Sequence, residues 1–248
     1  MSSAATRQSE NADTIQTFIE IQRTQIVYGK SSKAVFYLGN TGAGKTTTTQ
    51  LIHGKLQDLE SIEPELSEFL IQDIHDKISS ADTITSKTFI PDLLESIGED
   101  VTYYDCPGFN DNRSPSHDIA ASYFIKKILD LVNSVKFVLV VSYTSVRPGV
   151  NRDDFLTLLR NFLVMVKNVE KFENSIALIV TKVDNIFNKS GELLSDETIL
   201  CKILNFMLNV KTDLESKIQT NDKPFKNYYP EAINLIDIFL RKGLYKYC

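Results

Sequence analysis

Lys33-Ala34-Val35-Phe36-Tyr37-Leu38-Gly39-Asn40-Thr41-Gly42-Ala43-Gly44-Lys45-Thr46-Thr47 opens as an apolar run and empties into G-x-x-x-x-G-K-T. The order reads as a buried strand, a tight turn and the start of a helix, the setting a phosphate-binding loop requires. Gly39, Gly42 and Gly44 are expected to take positive φ, so that successive N–H groups form a concave anion nest. A helix from Gly44 to about His53 would add its positive dipole end. Lys45 would neutralise β- and γ-phosphates as a point charge, and the Thr46 hydroxyl would ligate Mg²⁺. The phosphate-binding set is therefore Gly39, Asn40, Thr41, Gly42, Ala43, Gly44, Lys45, Thr46 and Thr47.

Two shorter motifs follow in order, each after a run suited to a strand. Val101-Thr102-Tyr103-Tyr104 delivers Asp105-Cys106-Pro107-Gly108, a D-x-P-G element. Asp105 there would hold Mg²⁺ through a water, and the Gly108 N–H would meet a γ-phosphate oxygen. Ile176-Ala177-Leu178-Ile179-Val180, read as a buried strand, delivers Thr181-Lys182-Val183-Asp184, a T-K-x-D element. The Asp184 carboxylate can accept from the N1–H and 2-amino group of guanine, with the Lys182 stem over the base. Adenine offers no such donor pair, so the motif points to guanine nucleotides.

On these motifs the chain resembles a translation-factor-class P-loop GTPase domain. Leu38 to Thr47 together with Asp105-Cys106-Pro107-Gly108-Phe109 is most similar to the septin, Toc and immune-associated (AIG-type) side of that class. The likeness runs from Lys33 to Asp184, specific at the motifs and loose between them. It implies a Ras-like G domain: an α/β, doubly wound, mostly parallel sheet that binds GTP and GDP, depends on Mg²⁺ and carries two switch segments. It also implies homodimerisation through the G domain. Thr83-Ile84-Thr85-Ser86-Lys87-Thr88-Phe89 is expected to hold the first switch and then the edge strand. Thr85 best matches the S-x-T pattern of the resembled group and becomes the second hydroxyl ligand of Mg²⁺. Thr88 is the next choice, and plain β-branched strand formers remain the competing reading.

Composition fits an ordinary α/β domain of 248 residues, 42% hydrophobic, enough to bury its own core. A net charge of −5 and a pI near 5.3 argue against nonspecific nucleic-acid binding. No stretch approaches the roughly 20 apolar residues that span a bilayer, which leaves only peripheral membrane association open. Met1 to Arg7 has neither an apolar signal core nor a Gly at position 2 for myristoylation. Cys106, Cys201 and Cys248 have no metal-ligand spacing and read as reduced thiols, giving a cytoplasmic expectation.

Residues 1–30 read as an N-terminal extension, with Ile15, Phe18, Ile19, Gln22 and Ile26 suggesting a short amphipathic helix, and residues 31–248 as the G domain. Gly54 to Ala81, acidic through Glu60, Glu63, Glu65, Glu68, Asp73 and Asp76, is expected to be a helical or loop insertion with a solvated charged face. Ala121 to Val132 carries one apolar helical face, and Val135 to Ser142 is a strand buried on both sides. Phe155 to Val166 and Ile199 to Leu214 carry helical stripes, and the alternation implies right-handed crossovers.

Two departures bear on mechanism. Ras-type GTPases place a water-orienting Gln where this chain has Phe109, and a benzyl group cannot bond water. Hydrolysis is then slow, or relies on Asn110, Asp111, Asn112, Arg113 or a partner's residue; no catalytic residue is assigned. Thr41 would also crowd the entry of an arginine finger in trans. After Asp184 no final strand or base-loop motif is visible. Leu244-Tyr245-Lys246-Tyr247 is either a stub of that strand, or the domain stops short of it. Three functions remain: a slowly hydrolysing GTP switch, a nucleotide-binding scaffold with negligible turnover, and a P-loop ATPase or kinase, which the T-K-x-D element opposes.

Overall fold

In the computed structural model, which describes Gln16, Glu20 and residues 28–62, 70–74, 90–94, 100–109, 115–220 and 228–247, the expected first strand forms as β1 (Lys33–Leu38). The chain divides into two compact units, Met1–Val138 and Leu139–Cys248, and the boundary falls inside one strand.

In the first unit β1 is buried from Ala34 onward, as its unbroken apolar run predicts. The helix α1 (Lys45–Ile52) follows the glycine loop. Its four threonines are poor helix formers, but Thr48 and Thr49 turn their hydroxyls back onto the carbonyls of Gly44 and Thr46, both at 2.8 Å. Strands β2 (Leu59–Ile62) and β3 (Leu70–Asp73) pair antiparallel, so these two stretches of the acidic insertion are strand rather than the expected helix or loop, and its residues 63–69 and 75–81 lie outside the described residues. Its charge is not wholly a solvated face either. Asp73 is buried and accepts from Gln50 Nε2 at 3.4 Å.

The edge strand is β4 (Asp92–Leu94), antiparallel to β5 (Thr102–Asp105). It begins directly after Pro91, and Thr83 to Phe89, where the switch and edge strand are expected, lie outside the described residues. In its turn β5 runs parallel to β1 with Phe36 level with Tyr104 and Tyr37 level with Asp105. After α2 (Pro115–Leu129), which buries Ala120, Phe124, Ile125 and Ile128, the chain enters β6 (Ser134–Ser142). The strand order in this unit is β4-β5-β1-β6, so the chain winds outward from β1 first one way and then the other. Phe36 lies between Tyr104 and Phe137, with ring centroids 5.2 and 6.1 Å away.

In the second unit the rest of β6 is buried, and β7 (Ile176–Thr181) lies beside it as the last strand of the sheet. Only Ile176 of β7 is buried, so this run is a half-covered edge rather than the expected buried strand. Helices α3 (Asp153–Met165) and α4 (Asp196–Gln219) bury their predicted stripes, with Phe155 edge-on to Phe206 at 5.7 Å. The last helix, α5 (Tyr228–Tyr247), starts just before Pro230, a residue tolerated in a first turn. It includes Leu244 to Tyr247, which are therefore helix and not a strand stub. Lys211 on α4 reaches Asp237 on α5 at 2.6 Å, and Lys242 donates to the carbonyls of Glu173 and Ile176 at the start of β7. The N-terminal amphipathic positions Ile15, Phe18, Ile19, Gln22 and Ile26 lie outside the described residues. Among the described residues no helix is long and apolar enough to cross a membrane.

Tyr228 ties α5 to α3 by donating its hydroxyl to the Leu156 carbonyl at 2.9 Å. Burial pushes its phenol up to about 12, against the pull of the Arg160 guanidinium. The folded state thus favours the neutral phenol, whereas the unfolded chain ionises it near pH 10. Its contribution is intact below about pH 10 and is lost as pH rises toward about 12, some 2–3 kcal/mol in all. Urea titrations between pH 9 and 12 are expected to show a steeper fall for the wild type than for Tyr228→Phe; parallel curves would refute this assignment.

Candidate functional site

The first unit brings the G-x-x-x-x-G-K-T and D-x-P-G residues together through the β1–β5 register. With Tyr37 level with Asp105, the loops leaving the two strands emerge side by side. The ladder then continues past the strands: Cys106 N–H donates to the Tyr37 carbonyl at 3.2 Å and Phe109 N–H to the Gly39 carbonyl at 2.9 Å. Thr41 N–H donates back to the Phe109 carbonyl at 3.0 Å, which makes Asn40 and Phe109 a parallel bridge. Gly42 and Gly44 have φ of 78° and 85°, the left-handed region open to glycine. The expectation of positive φ at Gly39 is not met.

Gly44 is the N-cap of α1 and has no side chain to bond the first turn, so the helix turns its positive end toward the loop. Lys45 is buried at 7% exposure and donates to the Gly39 and Asn40 carbonyls at 3.1 and 3.0 Å. Ala43 is also buried, and Thr47 is half-buried. Thr46 differs from its neighbours on α1. Its hydroxyl leaves the helix and donates to Asp105 Oδ2 at 2.6 Å, bringing together two of the three expected metal ligands. Hydroxyl and carboxylate are the hard oxygen donors that Mg²⁺ takes. Among the described residues no group of three or more His, Cys, Asp or Glu could hold a metal ion. One carboxylate and one hydroxyl suit Mg²⁺, which keeps several waters and takes its other ligands from a substrate's phosphates.

Electrostatics follow from this burial. Cys106 is wholly buried, and its thiol is pushed up by desolvation, then by Asp105, with Lys45 pulling it down. The Tyr37 phenol is raised by burial and then by Asp105. Asp92 was not singled out from the sequence, yet the β4–β5 register sets it directly opposite Asp105. Two carboxylates facing across strands repel each other, an arrangement a cation would relieve. Nothing in the sequence marks Asp92 until the register is known.

Thr41 is not a free obstacle at the loop's mouth, as its hydroxyl donates to the Phe109 carbonyl at 3.3 Å. Phe109 itself is buried, with N–H and C=O both committed to the phosphate loop. Thr83, Thr85 and Thr88, and Asn110 to Arg113, lie outside the described residues.

In the second unit the T-K-x-D residues follow β7. Thr181 Oγ1 donates to the Val141 carbonyl on β6 at 3.3 Å. Lys182 adopts φ 53°, a left-handed conformation that costs a residue with a Cβ about 1–2 kcal/mol. Such strain concentrates where function demands a particular backbone. Lys182, Val183 and Asp184 are exposed.

No protein-family model and no curated protein matches the chain. Among solved structures it is similar to a dimerization-deficient mutant of Toc33 from Arabidopsis thaliana, at 15% identity and a TM-score of 0.42, covering 90% of this chain and 75% of that one. A variant of SsGBP matches at 15% identity and a TM-score of 0.34, covering 83% of this chain and 54% of that one. With both scores below 0.5, the assignments rest on the motifs and their geometry.

The tightest approach in the site is at Gly108. A Cβ there would lie 2.7 Å from Thr41 Cα and 2.8 Å from Thr41 N, so the phosphate-loop backbone would have to move. Gly108→Ala is expected to destabilise the first unit by about 1–3 kcal/mol. Thermal or urea unfolding checks this, and an unchanged midpoint would mean the two loops are not packed as described.

Proposed function

We propose that this chain is a guanine-nucleotide-binding protein of the P-loop GTPase type, and that it acts as a nucleotide-dependent switch with slow, partner- or dimer-dependent hydrolysis. The observation that carries the proposal is the hydrogen bond between Thr46 and Asp105 beneath a glycine loop that buries Lys45. A hydroxyl, a carboxylate and a buried ammonium brought together from two motifs far apart in sequence are what a phosphate-and-magnesium site would need, which supports the reading.

On this reading the N–H groups at the start of α1 receive the phosphates, and Lys45 exchanges its carbonyl partners for phosphate oxygens. Thr46 and Asp105 hold Mg²⁺, with Asp105 acting through a water, and Gly108 N–H meets the γ-phosphate. Bound Mg²⁺ would neutralise the charge that develops on the transferred phosphoryl group. Thr181, Lys182 and Asp184 read the base. Thr85 remains the proposed switch ligand. The septin, Toc and AIG-type side of the class, a homodimer through the G domain and a cytoplasmic location belong to the same proposal.

One observation favours a second reading, a scaffold that binds nucleotide with negligible turnover. Phe109 stands where Ras-type enzymes orient water, and it is buried with its backbone committed on both sides. It offers no group to an attacking water, so turnover needs a donor from beyond position 109 or from a partner.

Isothermal titration with GTP, GDP and ATP in Mg²⁺ tests the binding reading, and phosphate release on the same sample separates switch from scaffold. Guanine-selective binding is expected, with release per molecule rising with protein concentration. Equal binding of ATP would favour the ATPase or kinase alternative. Lys45→Ala is expected to abolish binding, and affinity kept within about threefold would overturn the phosphate-loop assignment. Asp184→Asn is expected to shift preference from guanine toward xanthine, because the amide presents a donor where the carboxylate accepted. Unchanged preference would overturn the base assignment.

A further inference from the structure

The segment after Asp184 is a tightly bonded miniature hairpin. Leu194 N–H donates to the Ile186 carbonyl at 2.7 Å and Asn188 N–H to the Glu192 carbonyl at 2.8 Å, which makes Phe187 and Leu193 an antiparallel bridge. The turn is locked from inside: Asn188 Oδ1 accepts from the N–H groups of Ser190 and Glu192, both at 2.9 Å, and Gly191 takes φ 81°. These bonds flank the bridge without joining its two members, so Phe187 and Leu193 are a non-hydrogen-bonded pair. In such pairs the side chains approach most closely and point to one face. Both stand in solvent, Phe187 at 60% exposure and Leu193 at 58%. A rigid turn thus holds an aromatic ring and an aliphatic neighbour out of the core, where their burial would have stabilised the fold.

We propose that this Phe187–Leu193 pair is an apolar platform for one face of the guanine base, with Phe187 as a specificity-supporting residue of the nucleotide site. The proposal rests on the guanine reading given above. Phe187 follows Asp184 by three residues, a span of at most about 11 Å of chain, so an edge-recognising carboxylate and an exposed ring share one short, fixed loop. Asp184 addresses only the edge of the base, whereas a purine in water also has two π-faces to cover. The Lys182 stem is expected on one of them. Neither Lys182 nor Asp184 covers the other, and a rigid aromatic beside Asp184 supplies that surface at low entropic cost.

The chain contains no tryptophan, so Phe187→Trp introduces a single emitter at the platform. With the full chain in Mg²⁺, its emission is expected to change saturably with GDP and GTP and not with ATP. Phe187→Ala is expected to weaken GDP and GTP by the same factor, about tenfold, since stacking ignores the γ-phosphate. Phe187→Tyr should restore affinity to within about twofold, because the ring is kept. The exposed position makes all three variants foldable, and circular dichroism checks this. If the wild type binds GDP while Phe187→Ala binds equally and Phe187→Trp emission stays flat, the platform is overturned and the guanine reading survives. If Phe187→Ala loses self-association with nucleotide affinity intact, the pair is a contact between copies and the proposal is likewise overturned. If the wild type binds no guanine nucleotide, the platform and the reading fall together.

Discussion

The parallel register of β1 against β5 is the constraint on which the first unit's site depends. Side chains alternate faces along a strand, so a one-residue slip of β5 would turn Asp105 away from Thr46 and move every other β5 side chain to the opposite face. The stacking of Phe36 on Tyr104, its level partner across the pair, opposes that slip. Beyond the strands the pairing carries on as Cys106 to Tyr37, Phe109 to Gly39 and Thr41 to Phe109. The phosphate loop and the D-x-P-G segment therefore form one hydrogen-bonded piece, in which the Thr46–Asp105 contact is a consequence of register.

That piece concentrates charge where water is scarce. Lys45 and Asp105 are both buried, and the Cys106 thiol registers both of them. Burying charged groups is costly unless each is bonded. Lys45 meets two carbonyls and Asp105 meets a hydroxyl, so the cost is partly offset within the protein. Asp92 opposite Asp105 adds negative charge to the same end of the sheet. Two carboxylates level with each other thus lie at the end of the sheet from which the glycine loop and the D-x-P-G segment leave.

Much of this was legible in the sequence because local chemistry dictated it. Gly42, Gly44 and Lys45 belong to a motif whose backbone demands are met within a few residues, and the stripes of α3 and α4 follow from helical spacing alone. What escaped the sequence depended on pairing at a distance. The β2–β3 segment looked like a charged helix or loop because its strands are short and only their mutual ladder defines them. β7 read as fully buried from its apolar residues, but burial depends on whether strands and helices cover both faces and both edges. Leu244 to Tyr247 has strand-like composition, yet the preceding turns of α5 carry it on as helix. Asp92 acquired its place solely from register.

The commitment of Phe109 bears on how such a protein would respond to nucleotide. In a Ras-like switch the stretch after the D-x-x-G glycine moves with the γ-phosphate. Here the residue directly after that glycine is held to Gly39 and Thr41 by two backbone hydrogen bonds and a buried side chain. Releasing it would cost those bonds, each about 0.5–1.5 kcal/mol, and expose a benzyl group worth about 1.5–3 kcal/mol more. Any nucleotide-dependent movement is therefore expected to begin at position 110 or later, with the Phe109 staple as its fixed end. The same staple fixes Phe109 against the glycine loop, so the D-x-P-G segment and that loop end in one shared hydrogen-bonded piece.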